Sequence, residues 1–150
     1  MLMVQMVARQ AADAEESPGR LILLIGQSNM AGRAPLEDGD QEPIDGVLLL
    51  DGEGKWIAAS NPLNRFATDR KNLSMQRIGP GFGFAGHMAE QLKDEKIGLI
   101  VNARGGSSIN LWKPGETLYD HTLARLEAAG IKRVDAVIWH QGESDAEDPE

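Results

Sequence analysis

The stretch Leu21-Ile22-Leu23-Leu24-Ile25-Gly26-Gln27-Ser28-Asn29-Met30 decides the fold. Its apolar run has no polar break and stops at a glycine. A run this short and this uniformly apolar suits a strand covered on both faces of a sheet. Two further runs read the same way. Ile97 to Val101 leads into Asn102-Ala103-Arg104-Gly105-Gly106-Ser107-Ser108-Ile109, and Val134 to Trp139 leads into His140-Gln141-Gly142-Glu143-Ser144-Asp145. Val47-Leu48-Leu49-Leu50 is a fourth candidate strand, with a turn at Asp51-Gly52-Glu53-Gly54 before Trp56-Ile57.

Between the runs the period changes. Phe84, Met88 and Leu92 recur every fourth residue, which predicts a helix from Phe84 to Leu92. Leu118, Thr122, Leu123 and Leu126 predict a second over Thr117 to Ala129, with Gly130 placed as its C-terminal glycine. Strands alternating with amphipathic helices imply an α/β fold, a mainly parallel sheet with helices on both faces. Ligands bind beyond the carboxyl ends of such strands. The runs at 21, 97 and 134 all end in small polar residues, so their ends are expected to share one rim.

Composition narrows the function. At 150 residues the chain fits one domain with its own core. Residues 1–19 are expected to be a leader without regular structure, and residues 20–150 the domain. A net charge of −8 with no block of Lys and Arg argues against a nucleic-acid partner. No apolar run approaches the about 18 residues of a membrane span. The chain has no cysteine, which excludes disulfides, zinc-thiolate sites and a thiol nucleophile. No close set of metal ligands stands in the sequence, and no cofactor is expected. Gly81-Phe82-Gly83-Phe84-Ala85-Gly86 matches a dinucleotide fingerprint in form only. No buried strand precedes it, so these glycines read as a loop leading into the Phe84 helix.

The strand ends carry the chemistry. Ser28, just past a buried strand and preceded by Gly26, occupies half of a nucleophile elbow, with Met30 where the second glycine would stand. The same spacing suits a serine that caps a helix. Gly105 and Gly106 let backbone N–H groups approach a ligand, as an oxyanion hole requires, or simply form a turn. Gln141 offers a side-chain amide as a further donor, and Glu143 a carboxylate that would orient an imidazole. Trp112 suits either a sugar-stacking platform or core packing. A serine nucleophile needs a base. His87 and His121 fall within the predicted helices, and His140 is next to Gln141 in an extended segment, which sends the two side chains apart.

Taken together, Gly26-Gln27-Ser28-Asn29-Met30-Ala31-Gly32, Asn102 to Ile109 with Trp112, and Trp139-His140-Gln141-Gly142-Glu143-Ser144-Asp145 resemble the sialate O-acetylesterase and acetylxylan esterase branch of the SGNH hydrolases, carbohydrate esterase family six. The likeness runs from about Leu21 to the C-terminus. It implies a three-layer α/β/α sandwich and metal-free deacetylation of an acetylated carbohydrate, with secretion or a periplasmic location favoured. By position, Ser28 would be the nucleophile and one oxyanion donor, Gly106 or Gly105 the second and Gln141 the third. Glu143 would support the site, and Asn29, Arg104 and Trp112 would contact substrate. The family's base lies in an Asp-x-x-His motif near its C-terminus, which these 150 residues do not contain. The resemblance thus implies a sheet lacking its last strand and helix here. The alternative is a carbohydrate-binding or vestigial protein without turnover.

Overall fold

A computed structural model describes residues 17–146, so most of the expected leader lies outside the described residues. The apolar runs become strands: β1 (Arg20–Gly26), β2 (Val47–Leu50), β3 (Trp56–Ala58), β4 (Ile97–Ala103) and β5 (Ala136–His140). They form one sheet in the order β3-β2-β4-β1-β5, all parallel except the short edge strand β3. β1, next to the edge strand, hydrogen-bonds to β4 on one side and β5 on the other. In register, Gly26 stands opposite Ala103 and opposite His140, which brings three strand ends to one level.

Alternation along β1 feeds two cores. Ile22 and Leu24 pack with Val47, Leu49, Leu99, Val101 and Ala85 beneath helix α2 (Pro80–Gln91). Leu23 packs with Leu50, Ile100 and Leu126 beneath helix α3 (Thr117–Ala128). Helices on both faces make the sheet the middle of three layers, as the alternating pattern implies. Leu24 is 1% exposed. Leu24→Ala is expected to cost about 3 kcal/mol in urea denaturation, the usual range for emptying a closed core site.

Two helix readings need correction. Helix α2 starts at Pro80 rather than Phe84. Proline suits the first turn of a helix because its missing N–H had no partner there. The buried stripe is Gly81 and Ala85, while Phe84 and Met88 pack at its flanks. A Cβ on Gly81 would stand 2.6 Å from Leu24 Cδ1, so glycine lets the helix lie close on β1. In α3, Leu118 and Thr122 are buried but Leu123 is 48% exposed. The helix ends as predicted at Gly130 (φ +68°). Gly130 N donates to Glu127 O and Ile131 N to Leu126 O, which is the Schellman arrangement.

The third run was read as covered on both faces, and it is not. β5 is the sheet edge, with Val137 52% and Trp139 42% exposed. Among the described residues nothing lies beyond it.

Candidate active site

The rim begins with a backbone requirement. Gly26 has φ +140°, and a Cβ there would meet His140 O at 2.0 Å. The chain therefore leaves β1 pressed against the end of β5, and Gln27 N donates to His140 O at 2.9 Å. Gln27 is buried, and its Oε1 accepts from Ser144 N at 3.3 Å. Ser28 opens the single helical turn α1 (Ser28–Ala31), whose N-cap is Gln27. The helix-capping alternative for Ser28 is thus not realised. Among the described residues no group hydrogen-bonds to Ser28 Oγ, and its half-buried side chain stands at the rim.

The end of β4 closes on it. Arg104 N donates to Gly26 O at 2.9 Å, which aligns the loop after β4 with the turn after β1. A Cβ on Gly105 would lie 3.6 Å from Ser28 Cβ, an ordinary contact, and 2.6 Å from Arg33 Nη2, which would have to move aside. Gly106 is exposed with φ +73°. Arg33 is held in place by Gly32 O at 2.6 Å and Met75 O at 2.9 Å. The Arg104 guanidinium donates to Asp69 O at 2.8 Å.

The loop after β5 supplies the third side. Gln141 Nε2 donates to Ser107 O at 3.2 Å and also to the Asp145 carboxylate. An amide nitrogen has two hydrogens, so both are engaged in bracing the two loops together. Glu143 Oε1 accepts from Asn29 Nδ2 at 2.5 Å and lies 3.5 Å from His140 Nε2, linking β5 to the residue after Ser28. Gln141 and His140 do reach different partners. His121 on α3 pairs with Asp69 at 2.9 Å, and His87 on α2 lies 3.8 Å from Glu90. Trp112 is 8% exposed, donates to Ser107 Oγ at 3.0 Å and meets Trp139 edge-on at 5.2 Å. Those contacts are packing. Trp139 is the more exposed of the pair.

Sequence reasoning assigned no role to Asp145, Asn64 or Gln76. Asp145 accepts from Ser108 Oγ at 2.7 Å, from Gln141 and from Ile109 N at 3.0 Å. These donors, Ser108 first, hold its carboxyl below the ordinary carboxylate range. A depressed folded pKa adds stability above the unfolded value of about 3.9, and that share is lost as pH falls through the lower folded value. Amide protection at Ile109 is expected to persist down to about pH 4 and to fall below it. Asp145→Asn should flatten that step in hydrogen exchange. An unchanged acid profile in the variant would contradict this account.

Among the described residues no group of three His, Asp or Glu could hold a metal ion, and no helix is long and apolar enough to cross a membrane.

Comparison with known proteins gives the family. Residues 18–150 match the family model described as carbohydrate esterase, sialic acid-specific acetylesterase. The chain is 31% identical over 149 residues to the probable carbohydrate esterase At4g34215 of Arabidopsis thaliana, covering 87% of this chain and 56% of that protein. The X-ray structure of the Arabidopsis protein superposes with a TM-score of 0.74 at 29% identity, over 86% of this chain and 60% of that one. The fold is shared with NanS (TM-score 0.65, 19% identity, 90% of this chain and 57% of that one). It is shared also with XAC1771, a carbohydrate acetylesterase from Xanthomonas citri (0.53, 20%, 87% and 34%). The chain spans a little over half the length of the curated relative it matches.

Proposed function

The chain belongs to the carbohydrate esterase family of sialic acid-specific acetylesterases, and from that premise we propose that its rim is the nucleophile and oxyanion half of a serine acetylesterase acting on an acetylated carbohydrate. One observation carries the reading. Ser28 stands against Gly105 at the shared end of β1 and β4, where a Cβ on Gly105 would already lie 3.6 Å from Ser28 Cβ. A serine beside side-chain-free backbone is what acyl transfer needs: a hydroxyl to attack, and N–H groups with open access to the carbonyl oxygen.

Ser28 Oγ attacks the acetyl carbonyl carbon and gives its proton to a base. The tetrahedral oxyanion is held by the N–H of Ser28 and by Gly105 or Gly106. Collapse expels the sugar oxygen, which takes the proton back from the base, and leaves acetyl-Ser28. Water, deprotonated by the same base, attacks the acetyl-enzyme and releases acetate. Gln141 holds the Ser107 and Asp145 loops in place and becomes a third oxyanion donor when it lets one of them go. The Glu143 bridge to Asn29 fixes the start of α1, and so the direction of the nucleophile. Asn29, the residue after Ser28, and Arg104, the residue after β4, are the side chains we assign to the sugar.

The base is the missing part. Among the described residues no histidine hydrogen-bonds to Ser28 Oγ: His121 pairs with Asp69, His140 lies 3.5 Å from Glu143, and His87 stands on α2 beside Glu90. We therefore assign the base to an Asp-x-x-His outside these 150 residues, on a loop after the last strand of the family fold. The coding sequence after Glu150 tests this. An Asp-x-x-His within it, with acetate release from O-acetylated sugars by the encoded protein, is the expected result. A stop codon directly after Glu150, with no partner chain supplying the motif, would leave a carbohydrate-binding protein without turnover.

A further inference from the structure

The end of β4 outruns the strand beside it. β2 pairs with β4 from Val47 opposite Ile97 to Leu49 opposite Leu99, and it stops at Leu50. β4 continues to Ala103, while on its other side β1 keeps pace, with Gly26 opposite Ala103. Along a strand the N–H and C=O of one residue point to one side, and those of the next residue to the other. Arg104 N turns toward β1 and donates to Gly26 O at 2.9 Å. The backbone groups of Ala103 therefore face the side where β2 has ended. Ala103 is 1% exposed, and unpaired backbone groups at such depth are costly. The Asn64 side chain meets both. Its Oδ1 accepts from Ala103 N at 2.9 Å and its Nδ2 donates to Ala103 O at 3.0 Å, the bonds an adjacent strand would otherwise make.

The amide is fixed in this orientation. Asn64 is 1% exposed, and Nδ2 also donates to Gln76 Oε1 at 2.8 Å, which engages both of its hydrogens. Gln76 is buried too and donates to Lys71 O and Asn72 O, both at 3.2 Å, so its own amide faces Asn64 oxygen first. Leu63, one residue before Asn64, is buried in the core beneath α2. The peptide between Ala103 and Arg104 is thus held at both ends, its C=O by Asn64 and its N–H by Gly26 O. The next two N–H groups along the chain belong to Gly105 and Gly106. Beyond them the loop is tied down separately, by Asp145 to Ser108 Oγ and Ile109 N.

We infer that Asn64 is a positioning residue for the oxyanion glycines: standing in for a strand, it fixes the peptide from which Gly105 and Gly106 set out, and so the direction of their N–H groups. The inference rests on the acetylesterase reading for what those N–H groups hold. Asn64 bonds to Ala103 and Gln76 and not to Ser28, so its effect passes through the backbone. Donors aimed at the oxyanion act in the transition state, and a misdirected donor lowers turnover without weakening substrate binding.

Two measurements test this. In the 150-residue chain, NMR relaxation reports the order of the Gly105 and Gly106 amides. Asn64→Ala removes every bond of the side chain. Asn64→Asp keeps its shape and an acceptor for Ala103 N but offers no donor to Ala103 O. Both variants should lower the order parameters of the two glycine amides from about 0.85 to below about 0.6. In the protein that carries the base, both should lower kcat and kcat/KM together by about 10²-fold, with KM unchanged. Leu49→Ala is the control for stability alone, because Leu49 is 0% exposed and sits opposite Leu99, away from the rim. It should melt as early as the Asn64 variants while keeping the glycine order and kcat of the wild type. A wild-type protein that carries the base yet releases no acetate would strike the esterase reading, and the amide signals would still decide this one. Glycine amides equally ordered in wild type and both Asn64 variants, or a kcat that falls in Leu49→Ala as far as in them, overturn the assignment.

Discussion

Ser28→Ala is expected to lower acetate release by about 10⁶-fold in the protein that carries the base, with little change in thermal stability. The magnitude follows from how serine hydrolases work as units: once the nucleophile is gone, the base and the oxyanion donors have nothing to activate or stabilise. Loss of a single oxyanion donor costs only about 10²–10³, so a result in that smaller range would demote Ser28 to a donor. Stability should hold because Ser28 Oγ makes no hydrogen bond among the described residues and the side chain is only half-buried. The backbone that shapes the turn, Gly32 N to Ser28 O at 3.1 Å and Ala31 N to Gln27 O at 2.9 Å, is unaffected by the substitution. Steady-state rates with an acetylated sugar and a melting curve together decide the point.

Gly26→Ala should cause the largest loss of stability at the rim. Its Cβ would meet His140 O at 2.0 Å, and the backbone sits at φ +140°, where side chains are strained. Gly142 is the natural control, since its φ is +136° but a Cβ there has nothing within 4 Å. Gly142→Ala should cost only the backbone strain, about 1–3 kcal/mol. Gly26→Ala should cost about 2 kcal/mol more, because β5 must also move away from β1. In a domain with about 5–15 kcal/mol to lose, that difference is large. Urea denaturation of the two variants measures it. Equal losses would mean that the β1–β5 contact is not what fixes the rim.

Much of this architecture was legible because burial and periodicity leave local traces. An apolar run stopped by glycine reads as a strand end at Gly26, and three such ends in one parallel sheet had to meet at a rim. The edge position of β5 was not legible. An apolar run reports that a strand expects cover, not whether the cover is present, and Val137 and Trp139 read the same either way. The start of α2 was hidden by Gly81 and Gly83, residues that weaken a helix locally, although Gly81 is there so that the helix can approach Leu24.

The candidate site divides along the same line. Ser28, Gly105 and Gln141 were legible as strand-end residues because each follows its strand within a few residues. Asn64 and Gln76 lie in a loop-rich stretch that Asn64 ties to Ala103 on β4, far along the chain, and no local pattern announces a contact of that kind. Asp145 stood in view next to a quoted motif. Its part, holding Ser108, Ile109 and Gln141, exists only once β4 and β5 flank β1.

Peptide mapping after exposure to an activated acyl or phosphonyl ester tests the central claim most directly. The protein carrying the base is treated, digested and analysed by mass spectrometry beside its Ser28→Ala variant. A single adduct on the peptide that contains Ser28, absent from the variant, is the result this account predicts. An adduct on another residue, together with acetate release that survives Ser28→Ala, would place the chemistry elsewhere and contradict it.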